Sequence, residues 1–152
     1  MNSPRVEQAS PLPAVRVEDD TQVRLSSAEF VLVEFDDPVF DTARMHPVNG
    51  KKDRIRLPVS GTYVLTGEVE WEPNGDGYRT VQIVVLDRGD NYPSLGKSLV
   101  EPRASTVQPT VQQVVAIARL DEGAIIGLIA GQGSGGDLEL VRATLAAAFI
   151  SP

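Results

Sequence analysis

LPVSGTYVLTGEVEW, residues 57–71, is written in period two. Tyr63, Leu65, Val69 and Trp71 fall on one side of an extended chain, and Thr62, Thr66, Glu68 and Glu70 on the other. Successive side chains of a strand point to opposite faces, so this stretch predicts a long strand with one face in a core and one in water. Pro58 fixes the chain where the strand begins, and Gly61 allows a tight turn before the inward alternation opens at Tyr63.

The same period recurs on both sides. Phe30, Leu32 and Glu34 alternate with Val31, Val33 and Phe35, and Arg54 and Arg56 with Ile55 and Leu57. Further runs follow at residues 80–86, 111–120, 124–130 and 138–150, separated by turn chemistry such as Pro73-Asn74-Gly75, Asp121-Glu122-Gly123 and the glycine-rich 131–136. The last run contains Ala146 to Ala148, good helix formers, but no glycine or asparagine closes it and Val141, Thr144 and Ile150 suit a strand. Many short strands and no clear helix predict an all-β antiparallel sandwich or barrel. Ahead of it, Pro4, Pro11 and Pro13 disfavour helix, and VRVEDDTQVRL alternates only weakly. The expected organisation is an extended N-terminal arm over residues 1–25 and a sandwich domain over 26–152, with Val6, Leu12, Val15 and Val17 as the arm's partner contacts.

Composition narrows the chemistry. A chain of 152 residues with 41% hydrophobic and 23% charged residues can bury one sizeable core. With no cysteine, disulfide staples and thiolate metal sites are excluded. A net charge of −7 without a basic run argues against nucleic acid as a partner, since phosphate backbones are bound by Lys and Arg. The first residues lack the apolar core of a signal peptide, and the apolar runs are too short for a spanning helix, so no membrane association is expected.

At LPVSGTYVL the sequence resembles the C1q and tumour-necrosis-factor-like jelly-roll family. Its members carry a proline, a glycine three positions on, an aromatic two further and then a bulky apolar residue, here Pro58, Gly61, Tyr63 and Leu65. VEFDDPVFDT is similar to the family's strand, loop and short strand ahead of that motif, and VVAIARLDEGAIIGLIA to its penultimate hairpin. The resemblance implies an antiparallel jelly-roll β-sandwich that associates as a homotrimer through apolar strand faces, with Tyr63, Leu65, Ile125, Leu145 and Phe149 as trimer or core contacts.

Catalytic constellations are missing from the sequence. The only histidine, His46, stands beside Pro47 with no serine elbow, which argues for a loop residue rather than a base. GQGSGG, residues 131–136, lacks the lysine and hydroxyl of a phosphate-cradling loop and reads as a flexible hairpin tip. Asp19-Asp20 and Asp36-Asp37 are paired acids of the kind that serve glycosidases or calcium sites, and Glu68, Glu70 and Glu72 form an acidic stripe; a solvated sheet face explains the stripe without a metal. Arg88-Gly89-Asp90 spells an adhesion tripeptide, but its position past a strand and the freedom of Gly89 favour a turn. No enzyme activity, cofactor or metal is expected. The reading that follows is a structural virion protein: a trimeric capsid decoration protein of a tailed bacteriophage, assembled in the host cytoplasm, on the virion surface, bound to the major capsid protein or another virion protein. The alternatives are the receptor-binding tip of a phage tail or head fibre, or a bacterial C1q-like surface binding module.

Overall fold

The computed structural model describes residues 9–86, 92–102 and 108–152. Val6, in the expected arm, and Arg88, Gly89 and Asp90, the adhesion tripeptide, lie outside the described residues. The described chain forms β1 (Ala14–Asp19), β2 (Val23–Leu25), β3 (Phe30–Leu32), β4 (Pro38–Asp41), β5 (Ile55–Arg56), β6 (Gly61–Trp71), β7 (Arg79–Val85), β8 (Ser94–Val100), β9 (Thr110–Leu120), β10 (Ile125–Gln132) and β11 (Leu138–Ser151). One sheet has the order β4-β1-β11-β6-β9, with β2 also on β11; the other has the order β3-β10-β7-β8, with β5 also on β10. Every pairing is antiparallel.

The alternation in β6 does what the sequence demands. Tyr63, Leu65, Val69 and Trp71 point into the space between the sheets and are fully buried, while their neighbours along the strand face outward. The interruption at Gly67 has a packing cause: a Cβ there would stand 2.6 Å from Leu128 Cδ1 of the opposite sheet. Gly61 is likewise a place of close approach rather than the turn expected of it. The Phe149 ring lies over its Cα, where a side chain would collide with it, and meets Tyr63 edge-on with ring centroids 5.5 Å apart and planes at 78°. Residues 138–150 are strand, as their β-branched positions suggested, and extend to Ser151.

The N-terminal boundary differs from the expectation. Val15 and Val17, expected as arm contacts with a partner, are fully buried in the core: both have 0% accessibility, and β1 runs antiparallel to β11 with Val17 opposite Leu145 and Val15 opposite Ala147. Residues 14–25 therefore belong to the sandwich, and only what precedes Ala14 can act as an arm. The physical reason is that β11 would otherwise expose a long ladder edge, which β1 and β2 together cover. Leu12, by contrast, is 64% exposed, on a segment held by the Leu12 carbonyl accepting from Thr42 Oγ1 at 2.8 Å and the Pro13 carbonyl accepting from Phe149 N at 2.9 Å.

Each fully buried leucine or valine of this core contributes about 1.5–3 kcal/mol through removal from water. Val17→Asp, which places an unpaired carboxylate there, should abolish or nearly abolish the folded state in urea titration, whereas Leu12→Ala should change stability by no more than about 0.5 kcal/mol. Burial pushes the Tyr63 hydroxyl above its ordinary value of 10.0; it donates to the Val59 carbonyl at 2.7 Å. The folded protein thus holds this proton more tightly than the unfolded chain, so the contribution is complete below the ordinary value and is lost as pH rises through the raised one. Stability measured by denaturant titration should fall above about pH 10, and Tyr63→Phe should flatten that fall while costing about 1 kcal/mol at neutral pH.

Candidate functional site

His46 is braced rather than poised. Its Nδ1 lies 3.0 Å from the Arg54 carbonyl and its Nε2 3.0 Å from the Asp36 carbonyl, and the ring is buried. Asp41 fixes the loop by accepting from Met45 N at 2.9 Å and His46 N at 3.0 Å. With both ring nitrogens engaged by main-chain oxygens, no lone pair is presented to a nucleophile, and no hydroxyl stands in hydrogen-bond reach among the described contacts.

The two aspartate pairs, far apart in the sequence, come together. The end of β1 meets the chain beyond β3, where Asp36 N donates to the Glu18 carbonyl at 3.3 Å. Carboxylate oxygens of Asp19, Asp20 and Asp36 consequently lie within 4.8 Å of one another. Asp19 is largely buried and accepts from Thr21 N at 2.9 Å, while Asp20 and Asp36 are exposed. Asp19 and Asp36, with Asp20 clustered against them, stand on a cleft of about 400 Å³ between the sheets, whose lining includes Val23, Val31, Leu32, Leu140 and Lys52.

Three buried polar side chains, Gln112, Gln132 and Arg79, stand near the ends of the β6–β9 and β7–β10 ladders, and little in the sequence signals them. Gln112 accepts from Trp71 Nε1 at 2.8 Å and donates to the carbonyls of Arg79 at 3.1 Å and Ser98 at 3.3 Å, tying the two sheets together. Gln132 donates to the Leu25 and Gly136 carbonyls at 3.0 and 2.9 Å and accepts from Ser134 N at 2.7 Å, so the glycine-rich loop is fastened and not the free tip expected from composition. Arg79 is fully buried. Its guanidinium donates to the carbonyls of Asp76, Tyr78 and Asn74 at 2.8, 2.9 and 3.0 Å, and burial, opposed by the charge of Asp76, moves it below the ordinary arginine value. The one legible signal was a glutamine or arginine standing at an inward slot of a strand.

The outward face of the first sheet is ordered in rows by its register. Ile117, Val64, Ala148 and Ala14 form one row across β9, β6, β11 and β1. The next row is Val115, Thr66, Ala146 and Arg16, with Phe40 beyond on β4. Then the face turns polar: Gln113 Nε2 donates to Glu68 at 2.5 Å, and Glu18 receives Arg16 at 2.6 Å and Arg142 at 3.2 Å. Ile117 and Val115 are 70% and 64% exposed, and Phe40 is 48% exposed. Of the residues expected at trimer or core contacts, Tyr63, Leu65 and Leu145 are fully buried inside the sandwich, Phe149 leans on Tyr63 and Ile125 is half-buried beside Arg56. Tyr63, Leu65 and Leu145 fill the core, with Phe149 packed against it; a one-residue step along β6 and β11 reaches the outward face instead.

No protein-family model and no curated protein matches the sequence. Solved structures match its shape. The globular domain of zebrafish complement 1qA protein superposes with a TM-score of 0.63 at 17% identity, over 91% of this chain and 97% of that one. Murine APRIL at pH 5.0 gives 0.69 at 13% identity over 92% and 100%, and Eiger TNF from S. frugiperda gives 0.68 at 13% over 93% and 94%. The chain has the C1q and tumour-necrosis-factor jelly-roll fold. The likeness spans nearly all of each molecule, so the architecture implied by Pro58, Gly61, Tyr63 and Leu65 extends over the whole sandwich.

Gln112→Leu fills the same space but leaves Trp71 Nε1 and the Arg79 and Ser98 carbonyls without their partner. With each stranded buried group costing about 1–3 kcal/mol, the variant should lose about 3 kcal/mol in denaturant titration.

Proposed function

We propose that this jelly roll is a non-enzymatic binding protein that associates as a homotrimer, and that it serves as a capsid decoration protein of a tailed bacteriophage. The observation that carries the association is the outward face of the first sheet, where Ile117, Val115, Val64 and Phe40 expose apolar surface around the small residues Ala146, Ala148 and Thr66. Contiguous apolar surface of this kind marks an interaction site. Small residues at its centre let a second sheet approach closely, and its division into apolar rows and a charged row suits an arrangement in which like rows meet around an axis. The C1q and tumour-necrosis-factor jelly rolls it resembles are homotrimers, which supports self-association. Catalysis has no support in the geometry: the single histidine is occupied by carbonyls on both nitrogens.

The finer reading, decoration of a phage head, draws on the proline-bearing start of the chain and the exposed Leu12 on an extended segment, which suit an arm that reaches a major capsid protein. A charge of −7 per chain, three times −7 or −21 per trimer, keeps free trimers apart while several docked arms hold one trimer by avidity.

Light scattering of the purified protein should give three times the chain mass at all concentrations above the micromolar range. Ile117→Glu should reduce it to the monomer mass with the fold intact by circular dichroism; a monomeric wild type ends the trimer reading. Antibody against the protein should label the heads of purified virions. Label confined to fibre tips moves the function to receptor binding, and label on the bacterial surface moves it to a C1q-like surface module.

A further inference from the structure

β3 is an edge. Phe30, Val31 and Leu32 pair with Gly131, Ala130 and Ile129 of β10, and the ladder runs one residue further, with Val33 N donating to the Leu128 carbonyl at 2.9 Å. Residues of an antiparallel strand alternate between bonding their partner and turning their N–H and C=O the other way. Val33 bonds β10, so Leu32 turns its main-chain groups away from it, towards a side on which no strand lies among the described residues. Natural edges are blunted by lysine, proline, a bulge or a covering segment. FVLVEF, residues 30–35, carries neither lysine nor proline, its register with β10 is regular, and Phe30 stands 56% exposed.

The cleft described above opens along this same edge. Val31, Leu32 and Val33 form one wall and Val23 and Leu140 another, giving pockets for apolar side chains. Its lining is acidic: Asp19, Asp36 and the exposed Glu34 line it, Asp20 clusters with Asp19 and Asp36, and Lys52 is the one basic residue lining the cleft. Three carboxylates within 4.8 Å repel one another, and an incoming cationic side chain relieves that repulsion.

We propose that the β3 edge is a docking site for an extended segment of a partner protein in which apolar residues alternate with lysine or arginine. The segment adds as a strand beside β3. Its main chain bonds the Leu32 N–H and C=O, its apolar side chains enter the cleft between the sheets, and its basic side chains lie over Asp19, Asp20 and Asp36. Main-chain bonding supplies affinity in strand addition and the alternate side chains supply selection; here the acidic lining selects basic over acidic segments. The added strand extends the second sheet, and its cleft lies between the sheets, so its occupation leaves the outward face of the first sheet free.

Fluorescence anisotropy with labelled synthetic peptides tests this. A seven-residue peptide of alternating lysine and valine should bind saturably at about 0.15 M salt. A glutamate–valine peptide, and the lysine–valine peptide with a central proline, should bind at least about tenfold more weakly. Leu32→Pro removes an edge donor without removing a bond to β10, and should weaken binding about tenfold with unchanged light scattering and thermal midpoint. Asp36→Asn should weaken it several-fold. Absence of saturable binding, equal affinity for basic and acidic peptides, or indifference to Leu32→Pro overturns the proposal. If Leu32→Pro unfolds the protein, amide exchange of the unaltered protein decides: slowing at Leu32 by the lysine–valine peptide supports strand addition, and unchanged exchange there refutes it.

Discussion

The antiparallel ladder between β6 and β11 is the constraint on which the rest of the molecule depends. It runs from Leu140 opposite Trp71 to Ser151 opposite Thr62, at the centre of the first sheet, and its register decides which side of every neighbouring strand is core. Because side chains alternate strictly, a slip of one residue would bring Glu68 and Arg142 inward and put Tyr63 and Leu145 in water. β9 and β1 inherit their facing from this pair. So does the opposite sheet, whose Leu128 fills the space that Gly67 leaves open.

Much of this was legible in residues 57–71 because a half-buried antiparallel strand writes its environment directly into alternate positions. The final strand was legible for the same reason despite its alanines. β1 was harder. Val15 and Val17 alternate with Arg16 and Glu18, but the run is brief and three prolines precede it, so local propensity favoured an arm; the decisive fact, that β11 needs an edge partner along its whole length, is a property of the assembled sheet. The resemblance left Tyr63, Leu65 and Leu145 open between core and trimer contact; burial places them in the core, and their neighbours along the strands face outward.

The polar interior was the least legible part. Nothing local says that Gln112 must stand against Trp71 from a strand 41 residues away, or that Gln132 must hold a loop to Leu25. The aspartate pairs show the same limit. Each reads as a solvated turn until the fold brings Asp36 against Glu18, after which their charges share one cluster. Long-range geometry creates both features, and sequence periodicity carries no record of it.

Trp71 has a consequence of another kind. It is the only tryptophan, it has 0% accessibility, and its indole nitrogen donates to the side-chain oxygen of Gln112, whose amide nitrogen anchors the far sheet. The intrinsic emission of the protein therefore comes from a single dry site at the seam between the sheets, on the inward side of β6. It reports whether the sandwich is closed and is insensitive to what gathers on the outer face, so the optical signal separates unfolding from dissociation without any label.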